Sequence, residues 1–369
     1  MAVERYFLAA WQSVAGIGPG QLSRLVQAFG SAAVAWKAPL GALQAVHVLS
    51  AEAMEAFRVL RGQHPQLPDE IFSVCEKGNI SLCTQDDVEY PDLLRNGFRP
   101  PLVLFYRGCL VPVEERLAMV GSRHCSPYGR AAARLLAEKI SRAGVTVVSG
   151  AARGIDTESH QGAVAAGGRT IAVLGCGVDI AYPAENRRLL DEIAANGAVI
   201  SEYMPGTPPL PGFFPARNRI IGGLCRGTLV VEAAERSGSL ITAELSLDMG
   251  RDVFAVPGSV FSDTSRGCHR LIQQGAKLVT RVEDIFEEYG WTALPKQAVA
   301  GSAALSNEEN RIYEVLSIEQ PLAMDEIIYK LRGSNTAHIA FLLLQMELKG
   351  MIEETDTHSY VRAVKEDDL

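Results

Sequence analysis

Short apolar runs, rich in β-branched and aliphatic residues, recur through the middle of the chain at 117–120, 145–149, 170–174, 198–201, 228–231 and 253–256. Most lead into a turn of Gly, Ser or Pro and then into a stretch with helical spacing. Apolar runs bounded by turns suit strands buried on both faces, and their alternation with helices suits parallel crossovers. The pattern predicts a doubly wound, mostly parallel α/β sheet whose ligands bind at the carboxyl ends of the strands. Residues 80–110, with Tyr90-Pro91, Pro100-Pro101 and Val103-Leu104-Phe105-Tyr106, are expected to add strands ahead of that sheet.

The two flanks follow a different period. Phe7-Leu8-Trp11 and Leu22-Leu25-Val26-Phe29 place apolar residues at helical spacing, so the first 60 residues read as short helices. Between them lies Val14-Ala15-Gly16-Ile17-Gly18-Pro19-Gly20, which resembles a helix-hairpin-helix turn, and residues 40–58 read as a degenerate repeat of that unit. Such a turn either brings helix-start N–H groups to a phosphate or serves packing alone. With only Arg24 and Lys37 nearby, packing is favoured.

At the other end, LPKQAVAGSAA (294–304) consists mostly of small residues and reads as a linker. Helix candidates follow at 307–316, 324–331 and 336–349, then two short strands at 351–354 and 360–363 around Asp356-Thr357-His358. That order is a winged-helix-like pattern, in which the third helix commonly enters a major groove. Here that helix (NTAHIAFLLLQMELK, 335–349) has one lysine, one glutamate and no arginine, which favours protein contact over DNA reading. The expected layout is a helical domain over 1–70, the α/β domain over 71–293, the linker and a C-terminal domain over 305–369.

Composition adds two constraints. With 47% hydrophobic and 21% charged residues, the 369-residue chain can bury a sizeable core and is not globally disordered. Its net charge of −8 argues against a protein that coats nucleic acid, yet the charge is uneven: −2 over 1–100, zero over 101–290 and −6 over 291–369. Of the 20 basic residues in the neutral segment only Lys139 and Lys277 are lysines. Arginine suits bidentate phosphate contact and stacking on bases. A GC-rich coding bias would give the same count, so position must decide.

No apolar run reaches the roughly 18–20 residues that span a bilayer, and the N-terminus lacks a basic region before a long apolar core, so a cytoplasmic protein without membrane contact is expected. Seven cysteines without a C-x-x-C pair fit reduced thiols better than disulfides or zinc.

Four segments at strand ends converge on one kind of ligand. Gly121-Ser122-Arg123 combines close backbone approach, a hydroxyl and a positive charge, and Ser149 to Asp156 adds Arg153, with Asp156 expected as an N-cap. Phe213-Phe214-Pro215-Ala216-Arg217-Asn218-Arg219, read as a loop, supplies aromatic faces and two arginines. Arg236-Ser237-Gly238-Ser239 offers a hydroxyl-rich helix start after Glu232. Ordinary capping explains each alone, but four facing one sheet edge predict an anion pocket. Neither G-x-G-x-x-G with its distant acid nor G-x-x-x-x-G-K-[ST] is present, so no nucleotide cofactor is expected. Arginines beside phenylalanines suit single-stranded nucleic acid. His160, four residues after Asp156, reads as a hydrogen-bonded structural residue, and nothing in the sequence requires a catalytic set or a metal.

The stretch from about 117 to 286 closely resembles the DprA/Smf family of DNA-processing proteins. The motifs that carry the resemblance are GSR (121–123), SGAARGIDTESHQGA (149–163), TIAVLGCGVDIAYPAEN (170–186), SEYMPGTPP (201–209), FPARNRIIGGL (214–224), VVEAAERSGSLITAE (230–244) and GRDVFAVPGS (250–259). The chain departs from the family at His269, where asparagine is common. The resemblance implies an extended Rossmann-like domain between a helical SAM/helix-hairpin-helix-like domain and a winged-helix-like one. It further implies a non-enzymatic protein that protects incoming single-stranded DNA, forms a homodimer through the Rossmann-like domain and loads RecA recombinase during natural transformation and homologous recombination. Carried over residue by residue, the DNA pocket falls on Gly121, Ser122, Arg123, Arg153, Phe214, Arg217, Asn218, Arg219, Ser237, Gly238 and Ser239, to which the residue reading adds Phe213.

Two other readings stand beside it. A nucleotide hydrolase of the phosphoribohydrolase type would need Glu232 or Glu244 as its acid. A transcription factor reading DNA through its C-terminal helices is disfavoured by the charge of that module.

Overall fold

The computed structural model describes residues 3–292, 305–318, 320–331, 336–349, 351–355 and 359–363. Six helices open the chain: α1 (Glu4–Gln12), α2 (Pro19–Phe29), α3 (Ala32–Lys37), α4 (Leu40–Ala45), α5 (Ala51–Gln63) and α6 (Leu67–Gly78). Local chemistry sets their ends. Pro19 stands at the first position of α2, Gly30 closes that helix at φ 82°, and the Ser31 and Ser50 side chains cap α3 and α5. The helices bury a three-ring cluster in which Phe57 stacks on Trp11 at 4.3 Å and Trp36 meets both edge-on.

This core runs on without a break into β1 (Ser81–Thr84), and past the single turn of α7 (Asp92–Arg95) into β2 (Val103–Gly108), through Leu82, Val103 and Phe105. Gln12 fastens the junction: its amide accepts from Val103 N at 2.9 Å and donates to the Val103 and Glu202 carbonyls at 3.0 and 2.8 Å. A boundary at 70/71 falls inside α6.

The alternating segment then gives β3 (Arg116–Val120), α8 (Pro127–Arg142), β4 (Thr146–Ser149), α9 (Ile155–Ala165), β5 (Thr170–Val173), α10 (Arg187–Asn196), β6 (Ala198–Ser201), α11 (Phe213–Leu224), β7 (Gly227–Val230), α12 (Gly238–Asp248), β8 (Asp252–Ala255), α13 (Arg266–Gln273), β9 (Lys277–Leu278) and α14 (Glu283–Tyr289). Together they form a nine-stranded sheet in the order β1-β2-β6-β5-β4-β3-β7-β8-β9. The pairs β1–β2 and β2–β6 are antiparallel and the other six are parallel.

The central strands β3, β4, β7 and β8 alternate between two cores, as a doubly wound sheet requires. On β3, Ala118 and Val120 face α11, α12 and α13, while Leu117 and Met119 face α8 and α14. The chain winds outward from β3 to β6 and then returns through α11 to start again at β7, on the other side of β3. The order therefore reverses between β3 and β7, where open α/β sheets leave a crevice at their carboxyl edge.

The C-terminal elements are α15 (Asn307–Val315), β10 (Leu322–Ala323), α16 (Met324–Lys330), α17 (Thr336–Leu348), β11 (Ile352–Glu354) and β12 (Ser359–Arg362). They share a core of their own around Ile312, Ile327, Leu343 and Met346. The two-residue β10, too short to show a period, pairs with β12 and makes a three-stranded sheet of the expected two. The expected linker at 294–304 and turn at 356–358 lie outside the described residues. Among the described residues no helix is long and apolar enough to cross a membrane.

Close packing of α8 on α9 depends on Gly162, where an added Cβ would run into the main-chain oxygen of Arg134. Gly162→Ala is expected to lower stability by about 1–3 kcal/mol, read as a shift in the urea midpoint at unchanged slope. An unshifted midpoint would mean that the two helices part without cost.

Candidate nucleic-acid interface

At the reversal between β3 and β7 the sheet edge opens into a cavity of about 520 Å³. Its first wall is the turn after β3. Gly121 is required there because a Cβ would come within 2.8 Å of the Glu232 carbonyl oxygen and closer still to the Ile155 side chain. The turn is held by backbone bonds from Ser122 N to Glu232 O (2.7 Å) and from Ile155 N to Ser122 O (3.1 Å). The Ser122 hydroxyl is used locally, accepting from His124 N. Ser126 caps α8, and its N–H and hydroxyl both donate to the buried Glu232 carboxylate, the hydroxyl at 2.8 Å. So fixed, the turn places the Arg123 guanidinium over the Phe214 ring, 5.4 Å from its centre.

The second wall is the segment expected as a loop, and here the structure differs. Residues from Phe213 onward form the first turns of α11. Helical spacing therefore sorts them by face: Phe214, Arg217, Asn218 and Ile221, at i, i+3, i+4 and i+7, line the cavity. Phe213 and Arg219 are turned away. Phe213 stacks on Tyr203 at 4.1 Å, and Arg219 forms a two-pronged pair with Glu202 at 2.7 and 2.6 Å.

Arg217 is only 3% exposed, and its Nη1 donates to Gly150 O at 2.9 Å. Gly150 has no room for a side chain, since a Cβ would lie 2.7 Å from Asp156 Oδ2 and nearer still to the guanidinium. Asp156 is not the N-cap; Gly154, at φ 76°, holds that position, and only glycine adopts such a backbone freely. The Asp156 carboxylate instead turns back from the first turn of α9 to accept from Ala152 N at 3.3 Å. Burial raises its pKa, and the neighbouring Arg217 charge opposes that rise. Burial lowers Arg217 to about 10, with Asp156 opposing, so the guanidinium stays charged at neutral pH. Its Nε has no hydrogen-bond partner among the described residues. A charge held out of water beside an open cavity attracts an anion strongly.

The third wall is the start of α12. Ser237 caps it, with its hydroxyl 2.8 Å from that of Ser239, and Asn218 Nδ2 reaches Gly238 O at 3.4 Å. The positive end of this helix suits an anion. Tyr182, from the segment after β5, completes the wall 5.3 Å from Phe214. It was not singled out in the sequence because it carries no charge and lies in a different segment from the four that were read as strand-end loops.

Of the expected residues, the cavity thus brings together Gly121, Arg123, Phe214, Arg217, Asn218, Ser237, Gly238 and Ser239. Arg153 stands exposed and ion-paired with Glu185, outside the lining. Glu232 is engaged by Ser126, Glu244 is exposed on α12, and neither lines the cavity. His269, the departure from the family pattern, bonds Gly258 O at 3.0 Å. The walls that remain offer two arginines, a helix start with hydroxyls and two aromatic faces.

The sequence profile of the family described as DNA recombination-mediator protein A matches residues 81–290. The chain is 33% identical to Protein Smf of Synechocystis over 97% of its own length and 99% of that protein's. It is 49% identical to DNA processing protein DprA of Streptococcus pneumoniae over 54% of this chain and 71% of that one. Among solved structures it is similar to S. pneumoniae DprA, with a TM-score of 0.67 and 39% identity over 78% of this chain and 99% of the other. The Helicobacter pylori DNA processing protein A, solved for its single-stranded DNA binding mode, gives a TM-score of 0.52 and 27% identity over 57% and 95%.

Behind the cavity, His160 bonds Thr170 Oγ1 at 2.7 Å, and burial, aided by the Arg217 charge, pushes its imidazole down to about 3. The unfolded chain takes up this proton near pH 6.5, so the stabilisation is complete above that pH and is lost as pH falls toward 3. His160→Gln should therefore flatten the stability profile by roughly 1 kcal/mol per pH unit between about pH 6 and 4, measured by urea unfolding. Profiles of equal slope would show that the imidazole is charged in the fold.

Proposed function

This chain belongs to the DNA recombination-mediator protein A family, and on that premise we propose that it binds single-stranded DNA in the cavity between β3 and β7. The observation that carries the reading is the pairing of an Arg123–Phe214 stack with the buried Arg217 charge and the start of α12. A flat base meets the aromatic faces while its phosphates meet the guanidinium groups and the helix N–H groups. Stacking tolerates any base, so the protein selects for a single strand and little for sequence. Gly121, Arg123, Phe214, Arg217, Asn218, Ser237, Gly238 and Ser239 form this site, with Ser122 supporting its first turn and Arg153 at its approach.

In this reading the protein protects incoming DNA and passes it to RecA recombinase during natural transformation, acting in the cytoplasm as a homodimer paired through the α/β domain. The exposed Phe341 and Leu344 on α17 support protein contact for the C-terminal module. The protein binds its strand without turning it over. Among the described residues Asp156 is the one carboxylate in the cavity lining, and it is occupied by Ala152 N and the Arg217 charge. A hydrolase of the phosphoribohydrolase type would release free base from nucleoside monophosphates.

Arg123→Ala should weaken binding of an oligodeoxythymidylate and reduce the slope of log affinity against log salt by about 0.7, the loss of one phosphate contact on a single strand. Fluorescence anisotropy across a salt series measures both. A variant that matches the parent in affinity and slope would sink the assignment.

A further inference from the structure

The helical face of α11 that turns away from the first cavity borders a second, larger cleft of about 920 Å³, between the start of α2 and the sheet edge. Pro215 lines both, so the two spaces meet at one corner. We propose that the single strand held between β3 and β7 continues over Pro215 into this cleft, where Arg24 and Arg99 take its phosphates and Phe98 and Tyr203 its bases. The inference rests on the single-strand reading above and extends it to the N-terminal helices.

Charge is the first observation. Arg24, Arg99, Arg219 and Glu202 line the cleft. Glu202 is consumed by Arg219, which leaves Arg24 and Arg99 without an acidic partner among the described residues. Arg24 has only a 3.3 Å bond from its Nε to Gly20 O, one turn back on its own helix. In a chain of net charge −8, two uncompensated arginines across one cleft call for an anion.

Backbone strain is the second. Arg99 sits at φ 47°, in the left-handed region that a long side chain rarely adopts, and its carbonyl is fixed there by Arg219 Nε at 3.1 Å. The conformation lays the Arg99 guanidinium over the Phe98 ring, 5.1 Å from its centre, with that ring 47% exposed. An exposed aromatic face beside a positive charge is the arrangement that a base and its phosphate require.

Rigidity is the third. The Gln12 bonds to Val103 and Glu202 and the core that runs from α1 into β2 hold α2 against the sheet, so the cleft exists before anything enters it. The glycine-rich turn before α2 thus has two sides: Trp11 and Leu22 pack behind it, and Gly18 to Gln21 face the cleft. A small anion would fill one end of such a space. Two arginines and two rings in a cleft that shares Pro215 with the first cavity fit a longer polymer.

The test compares oligodeoxythymidylates of about 4 and about 12 residues, within the range of known single-strand site sizes. The proteins are the parent, Arg123→Ala and the double variant Arg24→Ala with Arg99→Gly; glycine keeps the left-handed backbone while removing the charge. The double variant should bind the short strand as the parent does, which also shows that it is folded. For the long strand its salt slope should fall by about 1.4, two single-strand phosphates, with roughly tenfold weaker binding. Arg24→Lys, which keeps a charge, should keep the parental slope. Parental binding of the long strand by the double variant, or equal loss for both lengths, overturns the proposal while leaving the first cavity standing. Arg123→Ala without effect on the short strand overturns the first cavity itself, and the extension with it.

Discussion

A buried carboxylate joins the two halves of the sheet. Glu232 leaves the end of β7, 2% exposed, and its side chain accepts from the N–H and hydroxyl of Ser126 at the start of α8, while its own carbonyl accepts from Ser122 N. A charge taken out of water is tolerable only when it is so satisfied, and the positive end of α8 adds to the stabilisation. Two glycines follow from the closeness of this contact. Gly121 and Gly129 lie where any side chain would strike the carbonyl or the carboxylate of Glu232. Because the turn after β3 is tied to the end of β7, Arg123 has one direction in which to project, and it meets Phe214 there. The residue that looked like a candidate acid is the clamp that shapes the site.

Much of this was legible in the sequence, for a physical reason. Strands buried on both faces read as short apolar runs, and the six expected in the α/β segment fall within a residue of those observed. The helices flanking the sheet were legible from their spacing, as were the Trp11, Leu22 and Leu25 positions of the N-terminal core. What escaped was the state of one segment. The run from Phe213 to Arg219 holds a proline and two adjacent aromatics, which read as a loop, whereas tertiary packing of Ile220 and Ile221 on the sheet makes it helical. A loop can gather all its side chains at one point; a helix cannot, and so Arg219 and Phe213 went elsewhere. Asp156 was misplaced by the same limit, since its partner, Arg217, is 61 positions away along the chain.

The acidity of the chain and its proposed affinity for DNA are compatible because electrostatics here is local. Six of the eight net negative charges lie in residues 291–369, while the neutral α/β segment sets Arg123 and Arg217 against one cavity. Over distances beyond about 8–10 Å salt screens the rest of the surface, but a guanidinium as buried as Arg217 is screened much less. The fold supplies by position what the composition lacks in amount.

The crossover helix α11 carries a consequence for how such a protein can change over time. Its inner face is bound into the fold, because Arg217 is anchored on Gly150 and Ile220 and Ile221 lie in the central core. Replacing those side chains to suit another ligand would disturb the return of the chain from β6 to β7. Its outer face, with Phe213 stacked on Tyr203, Arg219 paired with Glu202 and Ala216 exposed, is tied to loops rather than to the central core. Lineages descended from one ancestor would therefore be held to a common inner contact while their outer contacts drift, and any divergence in what they grip should accumulate on one side of a single helix.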